Sequence, residues 1–158
     1  MNIELLPAVE RDAVAFVALR IAAMRESLER VGRFDAARAR ARFLNSFSVS
    51  DTRHIVVDGR RAGFVALRVE SGEQHLDHLY VHPAQQGRGI GSWVLTQLLC
   101  DAACQGTCVR VGALKESDSN RFYRRHGFHL VDVAEWDNYY VWSPDRASNA
   151  APAQKEST

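Results

Sequence analysis

Two hydrophobic periods alternate along the chain. "NIELLPA" near the start reads as a short first strand. Behind Asp12, the residues Val14, Val17, Ile21, Met24 and Leu28 recur at three- and four-residue spacing. That spacing marks an amphipathic helix with Asp12 as its N-cap, ended by Gly32. A second helix is expected from Asp35 to about Phe47, with Ala37, Ala41 and Leu44 on one face. Arg38, Arg40 and Arg42 spread around it and read most simply as a solvated face.

The period then shortens. "RHIVVDGRRAGFVALRVESGEQHLDHLYV" carries β-branched and apolar residues in short runs, broken by the turn dipeptides Asp58-Gly59 and Ser71-Gly72. This predicts three consecutive antiparallel strands. Ile90, Val94 and Leu98, with Trp93, then define a helix to about Ala103. "TCVRVGAL" reads as a fifth strand, "SNRFYRRHG" as a short helix closed by Gly127, and "FHLVDVAEWDNYYVW" as two strands meeting near Trp136 and Asp137. The element order is β-α-α-β-β-β-α-β-α-β-β, an α/β (α+β) pattern. The helix between strands four and five implies one parallel crossover in an otherwise antiparallel sheet. Residues 1–142 are expected to form a single domain, and residues 143–158, which have no apolar period, a disordered tail.

Composition narrows the class. A length of 158 residues with 46% hydrophobic residues suits one domain with its own core. A net charge of +1 points to neither a nucleic-acid surface nor an acidic tail. No run of about 18 apolar residues is present and the start lacks a secretory pattern, so the expectation is a soluble, cytoplasmic protein without membrane contact. Cys100, Cys104 and Cys108 follow no ligand spacing, and no metal is expected. Cys100 and Cys104 sit one helical turn apart and read as buried small hydrophobes rather than a redox pair.

"HPAQQGRGIGSW", residues His82–Trp93, packs Gly87, Gly89 and Gly91 between a strand and a helix. Such a turn aims several backbone N–H groups at a helix N-terminus, where the dipole also favours an anion. Glycine is needed because a side chain would hold a phosphate away and because some positions take φ > 0. A dinucleotide fingerprint would require its third glycine where Ser92 stands, and a P-loop would require a lysine, none of which precedes Lys115. The spacing that fits is Gln/Arg-x-x-Gly-x-Gly, as Gln86-Gly87-Arg88-Gly89-Ile90-Gly91, preceded by "LYVHP".

With this motif and with "SNRFYRRHGF" downstream, the sequence resembles the GNAT superfamily of N-acetyltransferases over nearly the whole element order, from the first strand to about Trp142. The resemblance implies that the backbone amides of Gly87, Arg88, Gly89, Ile90, Gly91 and Ser92 hold the pyrophosphate of acetyl-CoA. It also implies that Gln86 belongs to the same turn and that the pantetheine arm lies along the backbone of Leu79, Tyr80 and Val81, in a slot where strands four and five splay apart. Asn120 and Tyr123 are expected to complete the cofactor site. Members often carry Asn six residues before the Phe-Tyr pair, where this chain has Glu116.

Moving an acetyl group from a thioester to an amine requires a deprotonated amine, a donor for the developing oxyanion and a proton for the departing thiolate. An alkyl ammonium has a pKa of about 10, so a base or water chain must take its proton. His75 and Asp77 share one face of the fourth strand. The matching positions hold two histidines in the arylalkylamine acetyltransferases, and the histone enzymes place a glutamate where His75 stands. His75 is therefore expected as base, with Asp77 assisting, while His78 and His82 are weaker candidates. By the same resemblance Tyr123 protonates the thiolate and the backbone N–H of Leu79 polarises the acetyl carbonyl. The acceptor is expected between the first two helices and the last hairpin. Glu26, Glu29, Glu135 and Asp137 could there receive a primary amine of a small molecule or protein, and Trp136, Tyr139 and Tyr140 could pack its body. A non-catalytic acyl-CoA-binding module on the same fold is the alternative, and the resemblance leaves a homodimer open.

Overall fold

The strands and helices follow the expected order: β1 (Ile3–Pro7), α1 (Ala13–Arg30), α2 (Ala36–Ser46), β2 (Thr52–Val57), β3 (Arg60–Glu70), β4 (Glu73–Val81), α3 (Ile90–Gln105), β5 (Val109–Leu114), α4 (Ser119–Arg125), β6 (His129–Val133) and β7 (Asp137–Trp142). The structure is a computed structural model that describes residues 1–32 and 34–145. Of the expected tail, residues 143–158, all but the first three lie outside the described residues.

The seven strands form one sheet in the order β1-β2-β3-β4-β5-β7-β6. β1–β2, β2–β3, β5–β7 and β6–β7 pair antiparallel, while β4 and β5 run parallel, from Gln74↔Val109 to Leu76↔Val111. A parallel neighbour cannot be reached by a hairpin, and α3 is the crossover that brings the chain back. The two hairpins earlier in the chain turn on Asp58-Gly59 (φ 50 and 83) and Ser71-Gly72 (φ 53 and 76). Two successive left-handed residues give the turn whose twist matches the flanking strands.

By its contacts the chain divides into two compact units, Met1–Leu67 with Asp77–Trp93, and Arg68–Leu76 with the chain from Val94 on. The first unit has an aromatic core. Phe16 and Val17 of α1, Phe43 of α2 and Phe64 of β3 are buried together, with Phe47 and Tyr80 packed against them. The Phe16 and Phe64 rings lie 4.5 Å apart and Phe43 meets Phe64 edge-on at 5.7 Å. On α2 the buried residue is Phe43, whereas Ala37, Ala41 and Leu44 are exposed. The expected face was the wrong one, because a phenyl ring buries more area than two alanines and sets which side turns inward.

Asp12 precedes α1 as expected but does not cap it with its side chain. Its Oδ2 instead accepts the Val9 N–H at 2.8 Å and the His54 Nε2 of β2 at 2.8 Å. An ionised carboxylate only accepts, so Nε2 carries the proton. Both side chains are buried, and Arg61 reaches the other carboxylate oxygen at 3.6 Å. The Val9 hydrogen bond, followed by that of His54, holds the Asp12 carboxyl below its ordinary range.

In the second unit the buried positions are Val94, Leu95, Leu98, Leu99 and Ala102 of α3, Val109, Val111 and Ala113 of β5, and Tyr123, Phe128, Tyr140 and Trp142. That stripe fills the inner side of α3, so Cys100 and Cys104 face outward and are exposed, contrary to the expectation of burial; Cys108 is half-buried. Among the described residues no helix is long and apolar enough to cross a membrane, and no three His, Cys, Asp or Glu side chains cluster as a metal site would require.

Candidate functional site

The glycine turn grows directly out of β4. Gln86 Nε2 donates to the Val81 carbonyl at 3.0 Å, and His82 Nδ1 accepts the Ala84 N–H at 3.1 Å, which ties the turn to the strand end. His82 is thereby a turn-forming residue. Gly87 and Gly89 then take φ values of 81 and 79, a region that side chains with a Cβ enter at a cost. The Trp93 N–H closes the first turn of α3 on the Gly89 carbonyl at 3.0 Å. The amides of Ile90, Gly91 and Ser92 precede that bond and have no carbonyl one turn back to bind. Ile90 is buried and anchors the helix start, while Gly87, Arg88 and Gly89 are exposed. Amides without an intrahelical partner at the positive end of a 16-residue helix favour an anion over a neutral or cationic group.

β4 leads straight into this turn. Its parallel ladder to β5 runs from Gln74 to Leu76, and Asp77–Val81 continue the strand beyond it. Leu79, Tyr80 and Val81 are half-buried and Asp77 is exposed. Gly63 of β3 explains how the strand takes this path. A Cβ at position 63 would lie 2.2 Å from the Tyr80 carbonyl oxygen and 3.1 Å from Val81 Cα, so only glycine admits the β4 backbone. Sequence reasoning missed Gly63, because nothing local distinguishes a strand glycine required by a neighbouring strand from one that is merely tolerated.

His78 sits in the aromatic core of the first unit, 5.0 Å from the Phe43 ring, 5.8 Å from Phe64 and 5.7 Å from Tyr80. Burial, and then the charge of Arg20, lower its pKa to about 4. Its ring is neutral at physiological pH, and a base that weak is poorly matched to an alkyl ammonium.

His75, Glu116, Asn120, Tyr123, Trp136, Tyr139 and Tyr140 lie in the second unit. His75 is half-buried, in register with Arg110. Tyr123 is buried at 6% exposure, its ring edge-on to Phe122 at 5.3 Å and Phe128 at 5.4 Å. Asn120 has every hydrogen-bonding position filled. Its Nδ2 donates to the carbonyls of Leu114 (2.9 Å) and Ser117 (3.0 Å), and its Oδ1 accepts from Asn138 (3.0 Å) and the Tyr140 hydroxyl (2.8 Å). Asn120 therefore braces the β5–α4 loop against β7. Tyr140, fully buried, is part of that brace rather than an acceptor wall, whereas Trp136 and Tyr139 are exposed. Glu116 adopts φ 68, a left-handed conformation that asparagine enters more readily than glutamate. In α1, Glu26 and Glu29 pair with Arg30 at 3.4 Å and Arg25 at 2.9 Å, so their charge is already met.

Comparison with known proteins bears on the fold and the family. In fold the chain is similar to the PaiA N-acetyltransferase of Thermoplasma acidophilum, solved in complex with coenzyme A. The TM-score is 0.73 at 16% identity, over 90% of this chain and 99% of that one. An acetyltransferase of Thermus thermophilus gives 0.69 at 17% identity, over 90% and 97%. N-acetylglutamate synthase of Neisseria gonorrhoeae, complexed with coenzyme A and N-acetyl-glutamate, gives 0.64 at 16% identity, over 90% of this chain and 35% of that one. No curated protein sequence matches the chain significantly. The model of the acetyltransferase (GNAT) domain matches residues 50–130, from the entry to β2 through the glycine turn and α4 into β6. Covering more than half of the sequence and both motifs, that match makes the chain a member of the GNAT acetyltransferase domain family.

Proposed function

We propose that this protein is an N-acetyltransferase that moves the acetyl group of acetyl-CoA to a primary amine by direct attack in a ternary complex. The observation that carries this reading is the glycine turn, with Gly87 and Gly89 in left-handed conformations leading into the amides of α3 that lack an intrahelical partner. These amides, from Gly87 to Ser92, would hold the pyrophosphate, with Gln86 fixing the turn on Val81. The backbone of β4 at Leu79, Tyr80 and Val81, beyond the ladder to β5, would take the pantetheine arm as an added strand. Family membership and the coenzyme A bound by neighbours of the same fold support the choice of ligand.

The chemistry then needs three proton and charge events. The amine attacks the thioester carbonyl carbon, and the oxyanion that forms is met by the Leu79 N–H. His75, with Asp77 as its partner, takes the amine proton; the buried neutral His78 does not. Collapse of the intermediate breaks the C–S bond, and the Tyr123 hydroxyl protonates the thiolate. Asn120 serves this site by positioning, because its amide is already filled and any contact it offers a cofactor must come from the main chain. The need for acetyl-CoA, a large anion that does not cross membranes unaided, supports a cytoplasmic site for the reaction.

Release of free CoA thiol from acetyl-CoA across a panel of primary amines tests this reading. Amine-dependent release is expected. Acetyl-CoA binding without thiol release from any amine would leave a binding module instead.

A further inference from the structure

Arg20 is the arginine of α1 that has no carboxylate. Arg25 and Arg30 each pair with a glutamate one turn away, but among the described residues no carboxylate pairs with Arg20. Its Nε is buried without a hydrogen-bond partner, and its guanidinium carbon lies 6.0 Å from the centre of the Tyr80 ring. A second orphan belongs to the same cluster. His78 Nδ1, on β4, is also buried without a partner, and the charge of Arg20 is felt at its ring. The Tyr80 hydroxyl donates to Met24 Sδ at 3.0 Å. A buried donor and a buried ring nitrogen left unmet beside one cation is an uncommon arrangement in a folded core, and one that a ligand supplying the missing partners would complete.

Resting on the transfer reading above, we propose that Arg20 and His78 form an acceptor subsite for a carboxylate, and that the acceptors are amino carboxylates such as free amino acids. The guanidinium edge offers Nε–H and an Nη–H as a fork that matches a planar carboxylate. The charge count favours a monoanion. His78 is neutral and adds no second positive charge, the Asp77 carboxylate also acts on its ring, and the other two arginines of α1 are already paired, so a phosphate dianion would be under-compensated. Phe43 and Tyr80 supply an apolar wall for the body of the acceptor. His78 immediately precedes Leu79, so the subsite is continuous with the strand stretch assigned to the acetyl group.

The test compares amino acids with their carboxamides, which keep the amine and side chain but lose the negative charge. Wild type is expected to show a KM at least about tenfold lower for the acid, as the loss of a charge-assisted pair implies. Arg20→Met, which keeps the aliphatic stem, should bring the acid-to-amide ratio close to one without altering acetyl-CoA affinity. Arg20→Lys, which keeps the charge without the fork, should give an intermediate ratio and serves if the methionine variant does not fold. Equal KM values for acid and amide in wild type, or a preference that survives Arg20→Met, would overturn the subsite. Calorimetric titration of the amino acids into the CoA-bound protein separates this from the activity. Binding that needs both the carboxylate and Arg20 upholds the subsite even if no acetyl is transferred, and absence of such binding rejects it.

Discussion

Gly63 stands directly against the carbonyl oxygen of Tyr80: a Cβ built on Gly63 would lie 2.2 Å away, closer than any real contact of that kind. The obstacle is backbone rather than a flexible side-chain tip, so a methyl group there must displace β4 at Tyr80 and Val81, within the stretch proposed to take the pantetheine arm. Gly63→Ala is expected to destabilise the protein by about 1–3 kcal/mol. It should also weaken acetyl-CoA more than its effect on folding explains. Thermal melts and calorimetry check both parts, and a variant with unchanged affinity would show that this stretch of β4 is not what binds.

The glycines of the turn should respond differently from one another. Gly89 has φ 79, so Gly89→Val strains the backbone and should lower stability and acetyl-CoA affinity together. Gly91 is the second residue of α3 and is not among the left-handed glycines. Alanine is the better helix former there, by about 1 kcal/mol. Gly91→Ala should therefore melt no lower than wild type while losing roughly tenfold or more in acetyl-CoA affinity, because the added methyl stands in the row of amides. Unchanged binding of CoA to a folded Gly91→Ala protein would remove that row from the phosphate site.

Tyr123 is buried among Phe122 and Phe128, and Tyr123→Phe keeps that packing while deleting one oxygen. Acetyl-CoA affinity and melting temperature should change little. Turnover should fall roughly 10- to 1000-fold, the usual weight of a general acid. Wild-type turnover in this variant across the accessible pH range would reduce Tyr123 to a packing residue.

Asp12 ties the start of α1 to β2 through His54, and its folded pKa lies below the ordinary carboxylate value. A depressed pKa means that the unfolded chain binds the proton more tightly. The stabilisation is complete above the unfolded value of about 3.9 and is lost as pH falls through the lower folded value. Asp12→Asn should melt several degrees below wild type at neutral pH, and the gap should narrow as pH is lowered toward about 3. Melting curves across that range decide it; a gap independent of pH would assign the effect to packing.

How much of this could be read in the sequence depends on the range of the cause. The hairpins were legible because Asp58-Gly59 and Ser71-Gly72 specify their own turns, and the element order followed from periods measured within each segment. The glycine turn was legible for the same reason. The buried face of α2 was not, because three small or aliphatic residues outnumber Phe43 in a pattern count yet bury less. The outward-facing cysteines of α3 were misread because burial was inferred from residue type and not from the stripe already filled by Val94, Leu98 and Ala102. Gly63, the Asp12–His54 pair and the filled amide of Asn120 depend on partners far along the chain, and only the assembled strands reveal them.

The pyrophosphate grip assigned to the start of α3 is built from main-chain amides and two backbone torsions, so it is nearly blind to the chemistry of surrounding side chains. A feature of that kind is cheap to inherit: the chain can diverge almost everywhere while the handle for the acyl donor stays intact. Selection for a new acceptor could then act on α1, α2 and the last hairpin with little risk to the donor side. Random mutagenesis of this protein would be expected to yield its specificity variants there and its dead variants at Gly87 and Gly89.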